Sequence, residues 1–191
     1  MSVQRLIQFL NTLTPADFKN DAVDHFLKDQ EFEEETFLPF AHFLEETYGR
    51  NLVYKNANYE LLVLTWLPGN RTPIHDHADQ RCWMFVESGE LTFKNYKVMS
   101  KTEVKPVGEC EVRKARQRVY IDDELGLHSI ANLSTKPAIS VHLYAGPVPS
   151  CQIYDPIAKR FEKTELTYLT EGVWSPELEL LDTPLFTPNL N

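Results

Sequence analysis

The chain is short of basic residues. Its 19 Lys and Arg face 28 Asp and Glu, for a formal net charge of -9 and a pI of about 5.1. So acidic a chain has no global attraction for a phosphate backbone, and no nucleic-acid partner is expected. No apolar run approaches the roughly 20 residues of a membrane span, so no membrane partner is expected either. Met1 to Leu10 has one Arg and no long apolar core ending at a small-residue cleavage site, which argues against a signal peptide. Cysteine is scarce. Cys82, Cys110 and Cys151 are odd in number, widely spaced and without a C-x-x-C pair. That excludes a disulfide framework and favours a reducing, cytoplasmic setting. Repeats and low-complexity segments are also missing.

What remains is an ordinary globular composition, 42% hydrophobic and 25% charged over 191 residues. That length fits a single domain over 1–191, read here as a monomer. Residues 1–48 read as a helical N-terminal part, 49–155 as a β-rich core, and 156–191 as an extension wrapping it. Val3, Leu6, Ile7 and Leu10 recur at helical spacing. Thr14-Pro15-Ala16-Asp17 has the form of an N-cap, with Pro at the first helical position and an acid two residues on. Ala22, Val23, Phe26 and Leu27 make a second apolar stripe. A third helix is expected from Phe37 to Thr47, capped by Thr36, with Pro39 in its first turn. His25 and His42 fall in these helices without spaced partners and read as surface or packing residues.

After Gly49 the pattern changes to short runs rich in Val, Ile, Leu and aromatics: 60–66, 82–87, 90–98, 119–121 and 138–144. Turn signals bound them. Ser88-Gly89 reads as a hairpin turn between two of them. Many short strands at such intervals predict a mainly β fold, an antiparallel barrel or jelly roll. The tail after Asp155 is less regular, and Pro176, Pro184 and Pro188 mark it as an extension.

Within this β region the sequence Gly69-Asn70-Arg71-Thr72-Pro73-Ile74-His75-Asp76-His77 stands out. On a strand, residues i and i+2 share a face, so His75 and His77 can aim both imidazoles at one metal ion. Alone, H-x-H is weak evidence of a metal site. The spacing continues as four residues to Cys82 and six more to Gly89. Further on, His128 is followed after three residues by Asn132. These two stretches resemble the two cupin motifs, with Cys82 where many cupins carry glutamate. The resemblance implies a cupin barrel with N-terminal helices.

The resemblance narrows to one family. Tyr48-Gly49-Arg50-Asn51-Leu52-Val53, Ile74-His75-Asp76-His77, Cys82, Tyr120-Ile121-Asp122-Asp123, Gly126-Leu127-His128 and Ser140-Val141-His142-Leu143-Tyr144 resemble cysteine dioxygenase in order and separation. It implies an oxidoreductase that takes L-cysteine and O₂ to cysteine sulfinic acid. It also implies Fe(II) on His75, His77 and His128. A redox-inert zinc ion could not activate dioxygen, and a neutral three-imidazole set would favour an incoming thiolate. Ser140, His142 and Tyr144 alternate on one strand and resemble the family's relay. His142 is therefore not assigned as the third ligand, although spacing alone allows it. Arg50, supported by Tyr48, is implied for the substrate carboxylate. Cys82 and Tyr144 match the pair that forms a thioether cross-link in animal members.

Some positions depart from the family. Ala145-Gly146 replaces a Ser-Pro step, and Arg81 replaces a histidine, which would change charge or access at the pocket. Cys151 matches a cysteine near the pocket entrance. Three rivals stand beside this reading: the same chemistry on another small thiol such as 3-mercaptopropionate, a non-catalytic ligand-binding cupin, and a structural zinc site, which requires a fourth tight protein ligand.

Overall fold

The structure is a computed structural model that describes residues 1–172; Pro176, Pro184 and Pro188 of the expected extension lie outside the described residues. Two short helices, α1 (Val3–Leu10) and α2 (Ala22–Lys28), precede twelve strands. One six-stranded sheet runs β12 (Thr170–Glu171), β1 (Gly49–Lys55), β2 (Glu60–Trp66), β9 (Ala138–Tyr144), β4 (Cys82–Ser88), β7 (Arg118–Ile121). The other runs β11 (Arg160–Glu165), β10 (Ser150–Asp155), β3 (Ile74–His75), β8 (Leu127–Ala131), β5 (Glu90–Ser100), β6 (Glu103–Lys114). Pairing is antiparallel throughout, except between β1 and β12. This is the mainly β antiparallel architecture that the strand pattern predicts, and it is the cupin barrel with N-terminal helices that the motif resemblance implies.

The first sheet is buried on both faces. Leu62, Leu64, Trp66, Met84 and Val86 face the second sheet, with Phe93 and Ile130 opposite them. Leu61, Val63, Trp83, Phe85, Val141 and Leu143 face outward, where Val3, Leu6, Ile7 and Leu10 of α1 cover them. An eight-residue helix is too short to hold itself in water. Four α1 side chains no more than 2% exposed, at roughly 1.5–3 kcal/mol each, outweigh that deficit. Two-sided burial is why β2 and β9 read as continuous apolar runs rather than alternating ones.

Four sequence expectations are corrected. Phe37–Thr47 is not a helix; only a single 3-10 turn, Leu38–Phe40, forms there. The His42 carbonyl accepts from Asn51 Nδ2 at 3.0 Å and from Thr65 Oγ1 at 2.7 Å, so this backbone pairs with the sheet instead of with itself. The expected cap, Thr36, instead accepts from the Val3 amide. Thr14 and Asp17 do bond to each other, at 2.6 and 2.8 Å, but close a turn that ends before α2 begins. Ser88-Gly89 is not a hairpin turn either, because β4 and β5 belong to different sheets. Gly89, at φ +74°, carries the chain across the corner; a Cβ there would stand 2.7 Å from the Pro137 carbonyl. Finally, the chain beyond Asp155 adds strands β11 and β12 to the sheets rather than only wrapping them.

Candidate active site

His75 and His128 are directly opposed residues on β3 and β8. Gly126, at φ +94°, lets β8 start against β5, where any Cβ would meet the Tyr96 carbonyl at 2.5 Å. His77 lies beyond β3, so strand alternation does not aim it. Asp123 does: its carboxylate accepts from the His77 amide at 2.7 Å and the Asp79 amide at 2.6 Å, pinning a loop in which Ala78 and Asp79 have positive φ. The three imidazoles each offer a ring nitrogen, and these lie within 4.8 Å of one another. Among the described residues no fourth His, Cys, Asp or Glu joins them.

The hydrogen bonding of these rings fits a metal ion. His75 Nδ1 bonds the Pro73 carbonyl at 3.0 Å, which fixes the tautomer and leaves Nε2 free. His77 Nδ1 and both nitrogens of His128 are buried without a partner. An unmet buried polar group costs about 1–3 kcal/mol, so a ligand that binds neutral imidazole is the economical occupant. Burial lowers the pKa of His75 and pushes those of His77 and His128 well below the ordinary value, with neighbouring histidines adding to the effect for the latter two. The rings are therefore neutral at pH 7, the form that ligates.

Beside them opens a cavity of about 430 Å³, lined among others by Tyr48, Arg50, His75, His77, Tyr144 and Cys151. Cys151 is buried, and its thiol is pushed up to about 11, mainly by desolvation. Tyr48 stacks on Trp66 at 5.0 Å. Arg81 is not at this cavity: it donates to the Asn20 carbonyl at 2.8 Å and lies 5.7 Å from the Tyr120 ring, so the expected effect on pocket charge does not arise.

The Ser140, His142 and Tyr144 side chains share the inner face of β9, which is a central strand and not a solvent-facing edge. Trp66 Nε1 donates to Ser140 Oγ at 2.9 Å, and Ser140 Oγ lies 2.9 Å from His142 Nε2. Trp66 has only a donor to give, so the serine proton is free to point at His142 Nε2. The other nitrogen, Nδ1, faces Cys82 Sγ at 3.8 Å. The His142 and Tyr144 rings lie 6.1 Å apart at 19°. Desolvation holds His142 neutral, its pKa lowered to about 3. Cys82 and Tyr144 are directly opposed on β4 and β9, and burial raises both well above ordinary values, so thiol and phenol keep their protons.

Four contributors were assigned no role from the sequence: Glu60, Trp66, Asp123 and Tyr168. Glu60 did leave a signal, being the one charge in the buried run Glu-Leu-Leu-Val-Leu-Thr-Trp.

Comparison with known proteins shows the family. The family model for "Cysteine dioxygenase type I" matches residues 2–157. The chain belongs to the cysteine dioxygenase family. It is 31% identical over 175 residues to cysteine dioxygenase type 1 of Danio rerio, covering 87% of this chain and 86% of that one. It is 32% identical over 177 residues to the Rattus norvegicus protein of the same name, covering 90% and 88%. Among solved structures, a double-stranded β-helix protein of Klebsiella pneumoniae is 18% identical, covering 72% of this chain and 99% of that one, at a TM-score of 0.47. Membership makes the chain an enzyme of the dioxygenase class. The cavity residues 164–169 lie beyond the stretch that the family model matches.

Proposed function

We propose that this single-domain protein is an Fe(II)-dependent thiol dioxygenase that converts L-cysteine and O₂ to cysteine sulfinic acid. The observation that carries the reading is the convergence of His75, His77 and His128, with buried nitrogens lacking partners, beside a cavity that also holds Arg50 and Tyr144. Fe(II) on these three histidines would supply a redox centre for dioxygen and a positive charge favouring thiolate. The reaction is balanced as R–SH + O₂ → R–SO₂H: sulfur gives up four electrons, dioxygen takes them, and both oxygen atoms end on sulfur.

The protein's own groups bind and orient. Arg50 takes the substrate carboxylate through a charge-assisted bond, with Tyr48 packing the same wall. Tyr144 keeps its proton on Oη and offers a donor beside the histidines. Ser140 and His142 fix the strand beneath it and exclude water. Cys82, facing Tyr144, is placed to form a thioether with its ring. That step joins sulfur to a ring carbon and releases two hydrogens to dioxygen as hydrogen peroxide. The protein is further proposed to act as a cytoplasmic monomer; its three unpaired cysteines support the reducing setting. Among the described residues no helix is long and apolar enough to cross a membrane.

The test is oxygen uptake by the iron-reconstituted protein with L-cysteine, 3-mercaptopropionate and cysteamine. Uptake fastest with L-cysteine supports the reading. Preference for 3-mercaptopropionate reassigns the substrate, and thiol binding without oxygen uptake makes this a ligand-binding cupin.

A further inference from the structure

Glu60 is 0% exposed, in a strand of otherwise uncharged side chains. A carboxylate there needs partners for its lone pairs. It has three: Arg50 Nη2 on Oε1 at 3.2 Å, the Val148 amide on Oε2 at 3.0 Å, and the Tyr168 hydroxyl. Tyr168 is brought there by the C-terminal segment. Leu169 N donates to the Arg50 carbonyl at 2.7 Å, Thr170 bonds Asn51, and the Tyr168 ring lies 5.9 Å from the Arg50 guanidinium. Arg50 is thus split. One nitrogen is held by Glu60, while Nε is buried with no partner and the side chain lines the cavity.

A buried ion pair is weak grounds for stability, since an apolar pair often does as well. The more informative consequence is electrostatic. The anion site carries a guanidinium already compensated by a carboxylate, so an incoming carboxylate shares one cation with a like charge. We propose that Glu60, acting through Arg50, sets the affinity and selectivity of the pocket for carboxylates. This makes Glu60 a positioning and specificity residue. A ligand that offers a carboxylate without a thiol, such as an ordinary amino acid, is held weakly, and one that adds a thiol is retained. The inference rests on the proposed role of Arg50 toward substrate.

The test is calorimetric titration of the iron-loaded protein without oxygen, using L-cysteine and cysteamine, which lacks the carboxylate. Glu60→Gln is expected to bind L-cysteine on the order of tenfold more tightly, because a like charge at short range is removed, with cysteamine essentially unchanged. Tyr168→Phe removes a competitor for the Glu60 carboxylate and leaves more of its charge on Arg50. It is expected to weaken L-cysteine a few-fold and spare cysteamine, and it serves if Glu60→Gln does not fold. The inference is overturned if Glu60→Gln leaves L-cysteine unchanged or weaker, or if either variant shifts both thiols together, as a purely structural role would. Oxygen uptake by the parent separates the two claims: a parent that binds cysteine without consuming oxygen removes the dioxygenase reading and leaves the affinity split to stand or fall alone.

Discussion

His128 brings two ring nitrogens into a site where neither finds a protein partner, while His142, one strand system away, has both nitrogens facing side chains. Substitution should therefore separate them. His128→Ala, like His75→Ala and His77→Ala, is expected to lose iron on mild dialysis, and His142→Ala to keep it, as read by elemental analysis. Retention by the first with loss by the second would exchange their roles. Arg50 needs a different design. Truncating it alone leaves the buried Glu60 carboxylate without its cation, at a cost of about 3–5 kcal/mol. The neutral double variant Arg50→Gln with Glu60→Gln avoids that penalty. It is expected to raise KM for L-cysteine about ten- to a hundredfold, the worth of one charge-assisted bond, while cysteamine changes little. Equal losses for both thiols would mean that Arg50 only supports the fold. His75 and His77 were legible because their spacing is local, whereas His128 rested on the family resemblance, since spacing alone also allowed His142. Asp123 and Glu60 were not, because each acts on a residue whose nearness only the folded sheet creates.

At the scale of elements, register makes the sharpest claim. Cys82 and Tyr144 are opposed residues on neighbouring strands, so side chains on the same face lie within reach of each other. Protein that has turned over with iron, thiol and oxygen is expected to contain a Cys82–Tyr144 thioether, two hydrogens lighter by intact mass and found by peptide mapping. Protein made without iron is expected to lack it. Recovery of the two peptides separately after turnover would leave Cys82 as a buried thiol only. The strands legible in the sequence were those rich in apolar residues, with 60–66 and 138–144 read to the residue. β6 was missed because Pro106, Gly108 and its charges follow no two-residue alternation and the strand is largely exposed. The segment 37–47 misled for the opposite reason: its apolar spacing suits a helix, but its His42 carbonyl is used by Asn51 of β1 and Thr65 of β2. β10 and β11 carry too few apolar residues to read as strands and β12 has only two residues, although Tyr168 comes from the link between the last two.

For the whole molecule, four neutral histidines, three buried and His75 half-buried, tie stability to pH. His75, His77, His128 and His142 all have depressed pKa values when folded, whereas the unfolded chain takes up protons near the ordinary value of about 6.5. Below that pH the unfolded state binds more protons, so their contribution is present above about 6.5 and is lost as pH falls. For His142 the loss continues down toward about 3. Metal-free protein is expected to show a denaturation midpoint that drops steadily from pH 7 to pH 5, and a flat midpoint over that range would contradict neutral burial. Iron should raise stability at pH 7 and lose its effect in acid, since its ligands must be deprotonated. The central claim, that this acidic β-barrel puts both atoms of dioxygen on a thiol sulfur, is tested most directly by turnover under ¹⁸O₂. Cysteine sulfinic acid with two heavy oxygens, formed one for one with dioxygen consumed, is expected. Cystine and hydrogen peroxide as products, or a sulfinate carrying solvent oxygen acquired in its formation, would contradict it.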